Sequence, residues 1–191
     1  IIHTDSLDML NGATILADTF GDGNAGSIDI TAKSVNLSNG GVITPATFGT
    51  GNGGSITITA DSVLLDASAI QAVTTFPADD PNAAKGGNIL INAGSIDIRN
   101  GGQISATTTG SGAGGTIDLT ADSISLTGDN GASGLPTGIS AASGQLFGDF
   151  LAVGTGNGGD IVIKPKNPGA LALTITDGAQ ISTATFGSGN G

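Results

Sequence analysis

"SVNLSNGGVITPATFGTGNGGSITITAD", Ser34 to Asp61, is one 28-residue period of this chain, and its recurrence decides the fold. It holds three short β-branched segments, "SVNLS", "VITPATF" and "SITIT", in which apolar and polar residues alternate as in half-buried strands. Between them lie "NG", "AD" and glycine-rich corners, the residue types that turn a chain. Equivalent units begin at Ser6, Ser62, Ser95, Ser123 and Ala172, so that successive steps are 28, 28, 33, 28 and 49 residues. Self-similarity at this period marks a solenoid, and three strands per coil with like strands stacked is the parallel β-helix. The expected fold is all-β: a single repeat domain over 1–191 of about six coils of roughly 28 residues, three strands per coil, with little or no α-helix. Inward positions are Ile28, Ile30, Val35, Leu37, Ile43 and Phe48, followed one coil later by Ile56, Ile58, Val63, Leu65, Ile70 and Phe76.

Composition agrees. All 16 acidic residues are Asp, which favours turns, and there is no Glu, which favours helices. A formal charge of −11 with only 5 basic residues removes the cationic surface that nucleic acid requires, so no nucleic-acid partner is expected. No apolar run is long enough to span a membrane as a helix. The absence of Cys neither requires nor excludes export.

Gly21, Gly23 and Gly26 fit the G-x-G-x-x-G spacing of dinucleotide sites, as do Gly49, Gly51, Gly54, then Gly110, Gly112, Gly115, then Gly154, Gly156, Gly159. That fingerprint needs a helix N-terminus to hold the pyrophosphate, whereas each copy here leads into a strand such as "SIDIT". No nucleotide cofactor follows. The glycines are instead expected to supply positive φ at the corners, with Asn24, Asn52, Asn157 and Asn190 stacked inside them as structural turn residues. Two charge contacts follow from the register: Arg99 lies one coil after Asp66, and Lys33 falls between Asp5 and Asp61 in a second column.

Catalytic chemistry finds little purchase. The outward columns Asp29, Thr57, Leu90, Asp118, Val162 and Asp8, Asn36, Leu64, Asp97, Ser125, Thr174 each separate their two Asp by three coils, about 14 Å at ~4.8 Å per coil. Glycosidase carboxylates sit about 5–9.5 Å apart. His3 is the sole His, there is no Cys nucleophile, and Asp79 and Asp80 read as a solvated turn. No catalytic, metal or cofactor residues are therefore assigned, although scattered Asp leaves room for weak surface Ca²⁺ binding.

Irregularities mark the places for specific contacts. Loop insertions fall at about 77–85, 128–138, 144–153 and 164–170. Insertions in a solenoid map to loops and often to its binding face. Leu146, Phe147 and Phe150 form a candidate binding loop, with a local lid on the coil as the alternative. The chain opens mid-strand at "IIHTDSL" and stops at "TFGSGNG", with neither an initiator Met nor a signal peptide. The expectation is a processed piece of a longer protein that continues in both directions, or copies that stack end to end as a fibre.

The units "GGVITPATFGTGNGGSITITADSV" and "GGQISATTTGSGAGGTIDLTADSI" resemble the repeats of filamentous-haemagglutinin-type exoproteins, large surface proteins exported by two-partner secretion. The resemblance covers essentially the whole chain. It implies a right-handed parallel β-helix, export through an outer-membrane transporter partner, and structural or adhesive roles at the cell surface. That family's N-P-N-G and N-P-N-L secretion motifs are absent, "DPNAA" and "NPGA" being poor substitutes, so no secretion residues are carried over. The function expected is a non-catalytic, secreted adhesive shaft with end-to-end copies or surface glycans as partners. The alternative is a polysaccharide-binding or polysaccharide-cleaving β-helix.

Overall fold

The computed structural model describes residues 1–75, 84–129, 134, 136–147, 150–169 and 171–191, the side chains of 145–147 and 150–153 excepted. Each coil contributes three strands. The first holds β1 (Ile2–His3), β2 (Ser6–Leu10) and β3 (Thr14–Leu16); the second β4 (Ser27–Thr31), β5 (Ser34–Ser38) and β6 (Val42–Thr44). The third holds β7 (Ser55–Thr59), β8 (Ser62–Asp66) and β9 (Ala69–Gln71); the fourth β10 (Asn88–Asn92), β11 (Ser95–Arg99) and β12 (Gln103–Ser105). In the fifth lie β13 (Thr116–Ala121), β14 (Ser123–Thr127) and β15 (Gly138–Phe147), with β16 (Phe150–Val153) folded back on β15; the sixth holds β17 (Asp160–Pro165), β18 (Ala172–Thr176) and β19 (Gln180–Thr185).

These strands form three parallel sheets along the axis, ordered β1-β4-β7-β10-β13-β17, β2-β5-β8-β11-β14-β18 and β3-β6-β9-β12-β15-β19, while β16 pairs antiparallel with β15. No helix occurs among the described residues. Register follows the repeat: Ser6, Ser34, Ser62, Ser95, Ser123 and Ala172 are successive Cα partners, including across the 33- and 49-residue steps.

Strict alternation makes the core. In β4, Ile28 and Ile30 are buried and Ser27 and Thr31 exposed; β7 repeats the pattern with Ile56 and Ile58. Five apolar columns result, among them Ile28-Ile56-Ile89-Ile117-Ile161 and Ile15-Ile43-Ile70-Ile104-Ile139-Ile181. Branched side chains suit a stack of pleated strands because each nests on its counterpart one coil away. Burial of the columns is complete in the middle coils and lapses in the sixth, where Leu173 is 44% exposed and Ile175 43%.

Phe48 departs from its expected inward place. It is 47% exposed and its ring stacks on Phe20, 79% exposed, with centroids 4.9 Å apart and planes 8° from parallel. The third strand stops at Thr44, Pro45 follows, and the chain bends, so the alternation that places Ile43 inside does not carry through to Phe48. Phe76 lies outside the described residues.

What fills that inner corner is a column of hydroxyls: Thr19, Thr47, Thr74, Thr108 and Ser143 bridge one to the next, and Thr185 pairs with Ser143. Thr47, Thr74, Thr108 and Ser143 are fully buried. A buried hydroxyl needs a partner. Thr47 Oγ1 donates to the Asn52 carbonyl at 2.8 Å, Thr74 Oγ1 to the Lys85 carbonyl at 3.0 Å, and Thr185 Oγ1 to the Asn190 carbonyl at 2.7 Å. These three hydroxyls tie the third side of their coils to the glycine-rich corner that follows, while Ser143 Oγ donates to the Gly112 carbonyl of the corner before it at 3.2 Å.

The glycines of that corner serve a purpose other than the one expected. None of Gly49, Gly51, Gly54, Gly115 or Gly159 has positive φ; a Cβ on any of them would lie 1.8 to 2.1 Å from a carbonyl oxygen of the preceding coil. Axial closeness requires glycine there. Positive φ belongs to the other corner, at Asn39 (50°) and Gly40 (85°), as in a type I′ turn closed by Gly41 N–H to the Ser38 carbonyl at 3.3 Å.

The insertion in the third coil is also partitioned differently. Thr74 and Lys85 occupy the places of Thr47 and Asn52, so this corner is six residues longer, while Asp66 to Ala69 is one residue shorter than Ser38 to Val42. The shorter turn places Ala67 at φ 48°. The five-residue net excess is the difference of the two.

Candidate functional site

The outward face of β5, β8, β11 and their neighbours is a network of coil-to-coil contacts. Arg99 and Asp66 are Cα partners, and Arg99 Nε donates to Asp66 Oδ2 at 2.9 Å; Arg99 Nη1 also reaches Asp97 at 3.4 Å. Asn100 Nδ2 donates to Asp66 Oδ1 at 2.8 Å. That amide, with Arg99, holds the Asp66 carboxyl below the usual range against the opposing effect of burial. One end of the same sheet repeats the theme: the Ser6 hydroxyl at 2.6 Å and the Asn36 amide at 2.8 Å hold Asp8 low as well.

Lys33 Nζ meets Asp5 at 2.8 Å, both side chains largely exposed. Asp61 does not share this ion pair; its tie to Lys33 is through the backbone, Asp61 N–H to the Lys33 carbonyl at 2.9 Å. A third pair, Lys164 with Asp118 at 2.7 Å, was not foreseen. Exposed pairs of this kind contribute roughly 0.2–1 kcal/mol each, so their value lies in register more than in stability.

Among the described residues, the two Asp of each outward column are not brought together as a carboxylate pair, while Asp66 and Asp97 meet only through the Arg99 guanidinium between them. Asp29 and Asp118 stand in one column with Thr57 and Leu90 between them, and Asp8 and Asp97 in another with Asn36 and Leu64 between. Among the described residues no three of His, Cys, Asp or Glu gather as metal ligands. His3 is exposed on β1, and Asp79 and Asp80 lie outside the described residues. Among the described residues, no helix is long and apolar enough to cross a membrane.

Leu146, Phe147 and Phe150 fall on a β-hairpin rather than an irregular loop: Leu146 pairs with Leu151 and Phe147 with Phe150, antiparallel. Their side chains lie outside the described residues. The other insertions leave the column register unbroken on either side.

One cleft, of about 490 Å³, opens beside the glycine-rich corners of the second to fourth coils, lined by Asn24 to Ser27, Asn52 to Ser55 and Lys85 to Asn88. Its asparagines are oriented by the stack. Asn24 Oδ1 accepts the Asn52 N–H at 2.8 Å, Asn52 Oδ1 accepts the Lys85 N–H at 3.0 Å, and Asn88 Oδ1 accepts the Thr116 N–H at 3.2 Å. Asn157 and Asn190 repeat the first contact at 3.0 Å at the far end. Each amide so placed satisfies a backbone donor that a flat ladder would leave over. The acceptor end of each is spent on the fold, and among the described residues the Nδ2 end is not. No protein-family model, no curated protein and no solved structure matches this chain.

Proposed function

We propose that this chain is a non-catalytic, extracellular shaft: a segment of a large secreted surface protein of the filamentous-haemagglutinin type, exported through an outer-membrane transporter, that spaces or presents adhesive surfaces and stacks end to end with further coils. The observation that supports this most is the continuity of the columns. Residues that would be available for chemistry elsewhere are used to join one coil to the next: Arg99 to Asp66, Asn36 to Asp8, Asn24 to Asn52, Thr50 to Asp22 at 3.1 Å. A column architecture also lengthens without redesign, since every coil presents the next with the same edge.

The test is structural and enzymatic together. Tandem duplication of residues 34–61 should give a soluble rod longer by one coil step per copy, about 4.8 Å, with unchanged width by small-angle scattering. Antibodies to the chain should label intact producing cells. Turnover of any polysaccharide in a reducing-end assay would overturn the non-catalytic reading and favour the cleaving alternative.

A further inference from the structure

We infer that the cleft beside the glycine-rich corners is a binding site for a linear, carboxylate-bearing polysaccharide lying along the coil axis, a function beyond that of a shaft. Its wall is unusual for this molecule. Formal charge is −11 overall, yet none of the residues lining the cleft is acidic. Lys33, Arg99 and Lys164 are each committed to an Asp, whereas Lys85 Nζ, like that of Lys166 away from the cleft, has no carboxylate within ion-pair distance among the described residues. The Lys85 backbone is held on three sides: its N–H by Asn52 Oδ1 at 3.0 Å, its carbonyl by Gly53 N–H at 2.9 Å and by Thr74 Oγ1 at 3.0 Å. The ammonium is carried by a fixed point of the wall.

The remaining side-chain groups of the wall can all donate. The backbone N–H groups of Ala25, Gly53 and Gly86 are already bonded to the next coil. The amide oxygens of Asn24, Asn52 and Asn88 are occupied as well, which leaves their Nδ2 groups and the Ser27 and Ser55 hydroxyls unengaged among the described residues. These fall in two rows parallel to the axis, Asn24-Asn52 and Ser27-Ser55-Asn88, each repeating once per coil. A repeat of about 4.8 Å is close to the rise of one pyranose in an extended chain, so successive sugars would meet equivalent donors. A volume of about 490 Å³ lies within the usual range for ligand clefts. The single cation selects an anionic sugar, and the donor rows select its hydroxyl and ring oxygens.

Calorimetric titration with oligogalacturonate, and with the same oligomer fully methyl-esterified, tests the assignment. The acidic oligomer should bind, and the ester should bind at least about tenfold more weakly. Lys85→Gln should weaken the acidic oligomer by about tenfold with no change in the thermal midpoint. Asn52→Asp keeps an oxygen for the Lys85 N–H, removes the outward donor and should weaken it at least as much. Lys166→Gln, away from the cleft, should leave affinity unchanged. Absence of binding, equal binding of acid and ester, or indifference to Lys85→Gln would each overturn the proposal.

Discussion

Replacing Gly115 by Ala separates two physical effects of opposite sign. Gly115 has an ordinary negative-φ backbone, so the exchange lowers the entropy of the unfolded chain and would by itself stabilise by about 0.4–1 kcal/mol. Its Cβ, however, would stand 1.8 Å from the Gly87 carbonyl oxygen, 2.8 Å from the Gly87 carbonyl carbon and 2.9 Å from that of Gly86. Contacts below 3.0 Å are essentially never found, so the coils must part by about 1.2 Å there. The hydrogen bond from Gly86 N–H to Ala113 O (2.9 Å) crosses this step and cannot follow such a separation intact, and displacing Gly115 also strains its own N–H bond to the Ala106 carbonyl (3.0 Å). Two broken or badly stretched backbone bonds at about 1–3 kcal/mol each, less that gain, give a net loss of roughly 1–5 kcal/mol. Gly21 is the control: it also lacks positive φ, and a Cβ there meets nothing within 4 Å. Urea unfolding followed by circular dichroism should find Gly21→Ala neutral or slightly stabilised and Gly115→Ala strongly destabilised. A Gly115→Ala protein within about 1 kcal/mol of the parent would refute the close-approach account of these glycines.

Thr74→Val removes a buried hydroxyl while keeping shape; because the Lys85 carbonyl retains Gly53 N–H, the loss should be only about 0.5–1.5 kcal/mol by denaturant midpoint, and a neutral result would deny the hydroxyl column a role. Asp66 has its carboxyl held below the ordinary value of 3.8, so its contribution is present above that pH and fades as pH falls through the lower folded value. The gap in thermal midpoint between parent and Asp66→Asn should therefore hold steady above pH 3.8 and narrow as pH falls below it; parallel profiles throughout would contradict the linkage. A double-mutant cycle on Phe20 and Phe48, each to Ala, should return a coupling of about 0.5–1 kcal/mol in unfolding free energy, the lower part of the aromatic-pair range because both rings are exposed.

Much of the fold was legible because the repeat itself carries register. The Arg99–Asp66 contact could be read across a 33-residue step once Ser62 and Ser95 were aligned, and the Asn24–Asn52 column came from the same alignment. Local pattern failed where the chain leaves a strand. Phe48 sits three residues beyond Pro45, where period-two alternation has no backbone to act on, and the repeated Thr two residues after Pro45 was the signal for the inner hydroxyl column. The glycine corner was misread because turn glycines and close-approach glycines look alike in sequence; only the distance to the neighbouring coil distinguishes them. Lys164–Asp118 is not readable from column alignment because it is a diagonal contact: Lys164 is the partner of Thr120, and Asp118 that of Val162. The cleft was not legible at all, since its wall is assembled from three corners that are distant in sequence.

Fixed register between coils is the central claim, and disulfide trapping tests it most directly because the chain has no native Cys. Leu64 and Asp97 are Cα partners on adjacent parallel strands across the irregular step, at a strand spacing of about 4.8 Å that a disulfide can bridge. The Leu64→Cys, Asp97→Cys protein should oxidise rapidly under native conditions and lose that preference in denaturant, while Leu64→Cys paired with Asn92→Cys, the partner an unbroken 28-residue period would choose, should not. Preferential trapping of the 64–92 pair, or equal trapping of both, would contradict the stack of coils described here.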